Sequence, residues 1–438
     1  MSVTQGKLDD LKKNLLMTFI LLGVYRLASQ IPVPGVDPVA LKAYFSSNSG
    51  GIFDLINTFS GGAFKRFSIL ALGIMPYITT SIIFSLLGEV IPQIQEMSED
   101  SDGQKKIQKL TRYFTVLLCC FQGYGLASVF ESFQVGGSSA SSVVTNPGLL
   151  FKVVTMITLA GGTMFLLWLG ERITEFGLEN GVSLIIFTGI IVELPSELLQ
   201  KFTLYQSGEL KGIDLLFTLA VILATFYVVS FIERSTRGIP VQYAKKVVNN
   251  RVFGGSQTLP MKVDTAGVMP PILASSLIAA PTTFASFVAT DSVLKPYLES
   301  IQLSLYPGKL LFNIVFSFLI IYMAYFYAPI QTKTNKISEM LQKSNGFIPG
   351  VRPGAKTKEY LDYILNRLTF FGSIYLVVIC VLPTILTGGQ TRFGGTSMLI
   401  LVSVAVRVVM NIQSFLYSDL YQQSYKSKGK FKGSKKRF

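Results

Sequence analysis

The chain has 438 residues, half of them hydrophobic, with a mean hydropathy of +0.48, only 15% charged residues and a net charge of +14. A water-soluble protein carries about 25% charged residues, so the composition excludes an ordinary soluble domain. No histidine is present, which removes the commonest general base, metal ligand and proton relay.

Crossing the hydrocarbon core takes roughly 20 apolar residues as a helix. Ten spans are expected, centred on 17–26, 69–87, 113–130, 153–170, 181–194, 215–232, 266–288, 310–330, 368–386 and 396–416. Lys7, Lys12 and Lys13 precede the first, and the Ile31-Pro32-Val33-Pro34 break follows it without a small-residue cleavage site. It therefore reads as an uncleaved span rather than a signal peptide. Most of the 39 Lys and Arg residues fall in 1–13, 89–112, 171–179, 233–265, 331–367 and 417–438. Positive residues mark the cytoplasmic side, so both termini are placed there.

Between the first two spans lies an amphipathic stretch, 52–67, too short and polar to cross a bilayer. Ile52, Leu55, Ile56 and Phe59 share one helical face, and Ser60-Gly61-Gly62 permits a turn. Such a piece stays at membrane depth only if it plugs or lines a cavity; the other reading is an interfacial helix. The second span opens on Gly73-Ile74-Met75-Pro76-Tyr77-Ile78. Ile74 and Ile78, four apart, project to one side. Branched aliphatics at a constriction exclude water by dewetting, although lipid contact or packing is their ordinary use.

The fifth and seventh spans are weak. The fifth is short and contains Glu193; the seventh carries Pro270, Pro271, Ser275, Ser276, Pro281, Thr282 and Thr283. Helices lining an aqueous path tolerate such residues, as do kinked interior helices of any large bundle. Five spans precede residue 205 and five follow residue 210, which divides the chain into 1–205, 206–416 and a basic tail, 417–438. An odd number per half gives inverted topology if the halves are repeats. The tail is expected to be disordered.

Cys119, Cys120 and Cys380 lie in apolar runs at spacings that fit no metal site, and no cofactor is implied. Gly350-Val351-Arg352-Pro353-Gly354 lacks the P-loop Lys-Ser/Thr pair and reads as a rigid turn presenting Arg352. The 233–265 loop, with Arg234, Arg237, Lys245, Lys246 and Arg251, exceeds what topology needs and suits an acidic partner or RNA phosphates. Arg407 lies inside the last span, where a cation costs roughly 2.5–3.5 kcal/mol, so it must face a partner, a cavity or the interface.

Several motifs occur together in order: Phe59-Ser60-Gly61-Gly62-Ala63, Gly162-Thr163-Met164-Phe165-Leu166-Leu167-Trp168-Leu169-Gly170-Glu171, Glu179-Asn180-Gly181-Val182-Ser183, Leu259-Pro260-Met261-Lys262-Val263, Phe347-Ile348-Pro349-Gly350-Val351-Arg352-Pro353-Gly354 and Phe393-Gly394-Gly395-Thr396-Ser397. The set resembles the SecY/Sec61-alpha family, the channel subunits of protein translocases, over nearly the whole chain. The resemblance implies an all-α polytopic protein of ten transmembrane helices in two pseudo-symmetric halves around an hourglass pore.

It also implies site residues. A hydrophobic pore ring would comprise Ile74, Ile78, Val182, Ile186, Ile272 and Ile400. The plug would be roughly 52–67, with Ile52, Leu55, Ile56, Phe59, Gly61 and Gly62. A lateral gate would lie between the second–third and seventh–eighth spans, with Thr79, Thr80, Gln122, Ser275 and Ser276 as polar lining. Arg251 and Arg352 would dock the motor ATPase SecA or a translating ribosome. SecE, SecG, signal sequences, nascent polypeptides and membrane lipids are the other implied partners. The implied location is a bacterial inner membrane. The family often has an acidic residue where Arg407 stands, so this chain departs from the pattern there. Two rivals remain. A secondary transporter needs ionisable groups at the midplane, and the span interiors offer little beyond Arg407. An intramembrane enzyme is disfavoured because the chain has neither histidine nor an acid pair.

Overall fold

The computed structural model describes residues 2–47, 57–131, 133–135, 141–176, 179–208, 211–243, 246–248, 251–253, 255–285, 309–386 and 394–433. Its helices are α1 (Ser2–Ala28), α2 (Pro38–Ser47), α3 (Met75–Val90), α4 (Pro92–Glu99), α5 (Ser101–Glu131), α6 (Leu149–Glu175), α7 (Gly181–Gln206), α8 (Gly212–Arg234), α9 (Met269–Ala285), α10 (Leu310–Thr332), α11 (Thr334–Lys343), α12 (Ala355–Leu386) and α13 (Gly395–Gly433). Each expected span falls on one of them. Among the described residues, seven helices are long and apolar enough to cross a membrane, or eight if α3 and α4 form one bent span; α1 and α9 fall short of that test. The chain is an all-α polytopic membrane protein with small β additions outside the spans.

Several boundaries differ from those expected. The second span is not helical from residue 69. The chain turns through 69–73, and helix begins only at Met75, with Ile74 as N-cap and Pro76 in the first turn. The fifth is not short: Asn180 caps α7 by accepting from the Val182 N–H at 3.0 Å, and the helix passes through Pro195 to Gln206. The tail is not wholly irregular, since α13 continues to Gly433. Of the 52–67 stretch, the part containing Ile52, Leu55 and Ile56 lies outside the described residues. The remainder is one helical turn followed by tight turns.

The two long cytoplasm-assigned loops are joined. β3 (Thr236–Tyr243) pairs antiparallel with β6 (Ser256–Lys262) along its length and with β7 (Gly346–Phe347) at its end, Gln242 opposite Phe347 and Tyr243 opposite Gly346. β4 (Lys246–Val248) and β5 (Arg251–Phe253) form a separate hairpin, and β1 (Gln134–Val135) pairs with β2 (Ser141–Ser142). Ile239 and Val241 alternate on one face of β3. With Met261 they pack on Leu361, Ile364 and Leu365 of α12, which seats the sheet on the bundle.

Two further clusters hold the helices. One includes the rings of Phe45, Phe64, Phe67, Phe130 and Phe133, where the segment before α3 meets the end of α5; the Phe67 and Phe130 rings lie 3.9 Å apart. The largest cluster draws on α1, α3, α6, α7, α8, α9, α10, α12 and α13. Lipid offers no hydrophobic drive between helices, so close side-chain packing supplies the association.

Candidate functional site

Ile74, Ile78, Ile186, Ile272 and Ile400 are all nearly inaccessible and fall in that largest cluster, with Val182 partly buried against it. Four separate elements supply them: α3 with its N-cap, α7, α9 and α13. Above Ile78 and Val182 opens a vestibule of about 1570 Å3, whose walls include Tyr77, Gln108, Arg112, Glu171 and Tyr327. The Arg112 guanidinium and the Glu171 carboxylate pair across α5 and α6 at 2.5 Å. The vestibule lining mixes these polar and charged groups with the apolar side chains of Ile78, Ile82, Leu167, Val182 and Met269.

The segment before α3 is tied beneath this cluster by polar contacts that hydropathy did not reveal. Phe59 is buried in the cluster itself. The Tyr25 hydroxyl donates to the Ser60 carbonyl at 3.3 Å, and Arg26 and Arg66 donate to the Gly61 carbonyl at 3.0 and 3.3 Å. The Asn57 amide donates to Glu193 of α7 at 3.0 Å, while its own oxygen accepts the Lys65 N–H at 2.9 Å. Gly61 has φ +64°, and a Cβ there would stand 2.5 Å from the Gly189 Cα, so only glycine lets this turn lie against α7. Gly62, the next residue, lies beside Glu193 and Arg66. Glu193, read from sequence as a mark of a weak span, is thus the α7 end of a tether.

α9 packs against α3, α5 and α10. Along that seam Thr79 and Thr80 donate to the Met75 and Pro76 carbonyls at 3.0 and 2.8 Å, and Ser275 and Ser276 both donate to the Ile272 carbonyl at 2.8 Å. These hydroxyls satisfy themselves on their own helices, leaving them no donor with which to bridge the seam. Gln122 on α5 is partly buried.

Arg352 is exposed on a braced turn: the Thr357 hydroxyl donates to the Arg352 carbonyl at 3.0 Å, and Ser338 to the Gly354 carbonyl at 2.8 Å. Arg251 opens β5, opposite Val248.

Arg407 has its partner. Its Nε donates to the Glu233 carboxylate at 3.2 Å, and Lys262 and Ser403 reach the same carboxylate at 3.4 and 3.3 Å. Glu233 is only 3% exposed. Beside it Asp264, also buried, accepts from the Gly267 N–H at 2.8 Å while its other oxygen has no partner. Burial, and then the neighbouring Glu233 charge, push the Asp264 carboxyl up to about 7 against the pull of the Gly267 N–H, Arg407 and Lys262. Tyr375 and Cys380 face it from α12. The shift is upward, so the stabilisation is complete at acid pH, below the unfolded carboxylate value, and is lost as pH rises through about 7. The melting temperature should therefore fall between about pH 4 and about pH 7 and level off above that, and Asp264→Asn should flatten that fall. An equal fall in both proteins would show that Asp264 is not its source.

The SecY family model matches residues 68–409. A protein translocase subunit SecY of Haemophilus influenzae is 40% identical over 420 residues, covering 95% of this chain and 93% of the relative. The chain belongs to the SecY family. The family makes it a channel subunit and not an enzyme. The fold agrees. A SecY channel solved in a study of how its plug domain maintains the closed state and the membrane seal superposes with a TM-score of 0.65 at 18% identity, covering 93% of both chains. Sec61 in a canine ribosome-channel complex gives 0.63 at 17% identity, again covering 93% of both. Within the SecY frame, sequence reasoning missed Glu233, Lys262, Asp264, Asn57 and Arg66. The available signal was acidic residues at the ends of apolar runs close to basic ones, which topology alone had seemed to explain.

Proposed function

We propose that this SecY-family chain conducts unfolded polypeptides across the membrane through the cluster of Ile74, Ile78, Val182, Ile186, Ile272 and Ile400, and releases apolar segments sideways between α3–α5 and α9–α10. The observation that supports the reading is that five of these six branched aliphatics belong to one buried cluster, with Val182 packed against it, and that Ile78 and Val182 also line a vestibule with charged walls. Such a ring dewets when empty and deforms around a passing chain.

On this reading the chain forms two five-helix halves, 1–205 and 206–416, around an hourglass pore. The plug runs over 52–67, and Phe59, Gly61 and Gly62 belong to the part tethered by Tyr25, Arg26 and Glu193. The gate seam has Thr79, Thr80, Gln122, Ser275 and Ser276 nearby. Its hydroxyls bond within their own helices, so parting the seam breaks none of those bonds. A signal sequence opens it only by binding the open state better than the closed one.

The vestibule and the β3–β6–β7 sheet face the cytoplasm, as do both termini, by the distribution of Lys and Arg; the relatives' bacterial sources point to an inner membrane. Arg251 and Arg352 lie on the cytoplasmic side and dock the motor ATPase SecA or a ribosome, and SecE and SecG complete the complex. The test is planar-bilayer conductance. The intact channel should be silent, and deletion of 52–67 should give large, unselective currents. Silence after that deletion combined with Ile78→Asn would remove the pore reading.

A further inference from the structure

Glu233 stands at a junction that the channel reading does not use. It lies in the last turn of α8, is almost wholly buried, and accepts from three donors on two other elements. Lys262 is the last residue of β6, the strand of the β3–β6–β7 sheet that leads into the turn before α9. Ser403 and Arg407 lie one turn apart on α13 and reach back to the same carboxylate. Ser403 is three residues beyond Ile400, so the bond to Glu233 holds the α13 turn that bears a ring residue.

Arg407 also bears on α9. The turn before that helix has Gly267 at φ +64°, and a Cβ there would meet the Arg407 guanidinium at 2.7 Å. Asp264 closes the same turn by accepting from the Gly267 N–H. Ile272 lies on the first turn of α9. One carboxylate therefore fixes the end of β6, the α13 turn below Ile400 and, through Arg407, the turn that launches Ile272.

We infer that Glu233 is a positioning residue that couples the β3–β6–β7 sheet to the pore ring, holding α9 and α13 in the sealed arrangement until force on β6 shifts Lys262. The inference rests on the proposed ring. A buried carboxylate is retained only when its donors stay in place. A pull on β6 that removes Lys262 weakens the hold on Arg407 and frees two of the ring's four contributing elements together.

The experiment uses the full chain in its assembled complex. The readouts are idle ion conductance and export of a reporter with a defective signal sequence, with melting temperature followed in parallel. Glu233→Gln keeps the shape and removes the charge; it should raise idle conductance and defective-signal export about five- to thirtyfold, the factor for losing one or two such contacts. Arg407→Lys, which keeps the charge, should change little. The swap Glu233→Arg with Arg407→Glu should recover most of the seal, whereas each single change should leak. Ile400→Asn is the control. If it leaks and Glu233→Gln does not, the coupling is overturned and the ring survives; if neither leaks, both fall. A Glu233→Gln protein that melts lower but seals normally, or single changes that leak with no recovery in the swap, would leave Glu233 a purely structural residue and end the inference.

Discussion

Reversing one exposed charge, Arg352→Glu, should abolish partner-driven export while leaving the channel assembled and inserted. The residue projects from a turn braced by two hydrogen bonds to the turn's backbone, so the backbone that presents its guanidinium is held in place. Pre-organised charges lose less entropy on docking than mobile ones. Breaking a hydrogen-bonded charge pair at an interface costs about 2–5 kcal/mol, which is about thirtyfold or more in affinity, and the reversed charge adds repulsion. Because Arg352 is exposed, melting and membrane insertion should be unchanged. Normal motor-driven export by Arg352→Glu vesicles would remove this role. Arg251 lies on a different hairpin, and Arg251→Glu should weaken docking less.

The second large effect is expected at the ring. Ile78→Asn with Ile400→Asn places amides in the apolar cluster beside the vestibule, where both isoleucines are buried. An amide buried without a partner costs roughly 1–3 kcal/mol, a penalty borne by the closed state alone. The open population should rise at least about tenfold. A reporter with a defective signal should then be exported, and idle channels should pass small ions. Unchanged discrimination and a silent bilayer in the double variant would count against an apolar seal at these positions.

The spans were legible because hydropathy is a local property: each expected segment falls on a helix, and the weak ones, fifth and seventh, became α7 and α9, which both contribute to the central cluster. Ile74 and Ile78 were singled out by spacing, but their place in one buried cluster with Ile272 and Ile400 joins residues 194 to 326 positions apart, and no local pattern carries that. The same holds for the sheet, in which Gln242 pairs with Phe347, and for Arg407. Its sequence position asked for a partner, a cavity or the interface without saying which, and a partner lies 174 residues away. Glu233 was hidden for another reason. At the end of an apolar run, followed by Arg234, it looks like an interfacial anchor, and only folding turns it inward. The helix start at Met75 was misplaced because Ile69 to Ile74 are apolar enough to continue a span, while Pro76 fixes the first turn.

The most direct measurement is site-specific photo-crosslinking to a translocating polypeptide stalled in the channel. Probes would stand in turn at Ile78, Val182, Ile272 and Ile400, with an outward-facing control at Tyr227 of α8, which is 74% exposed. The account predicts adducts from all four ring positions at matched positions along the stalled chain, and none from Tyr227. Adducts from Tyr227 comparable to those from the ring, or none from the ring at all, would contradict it.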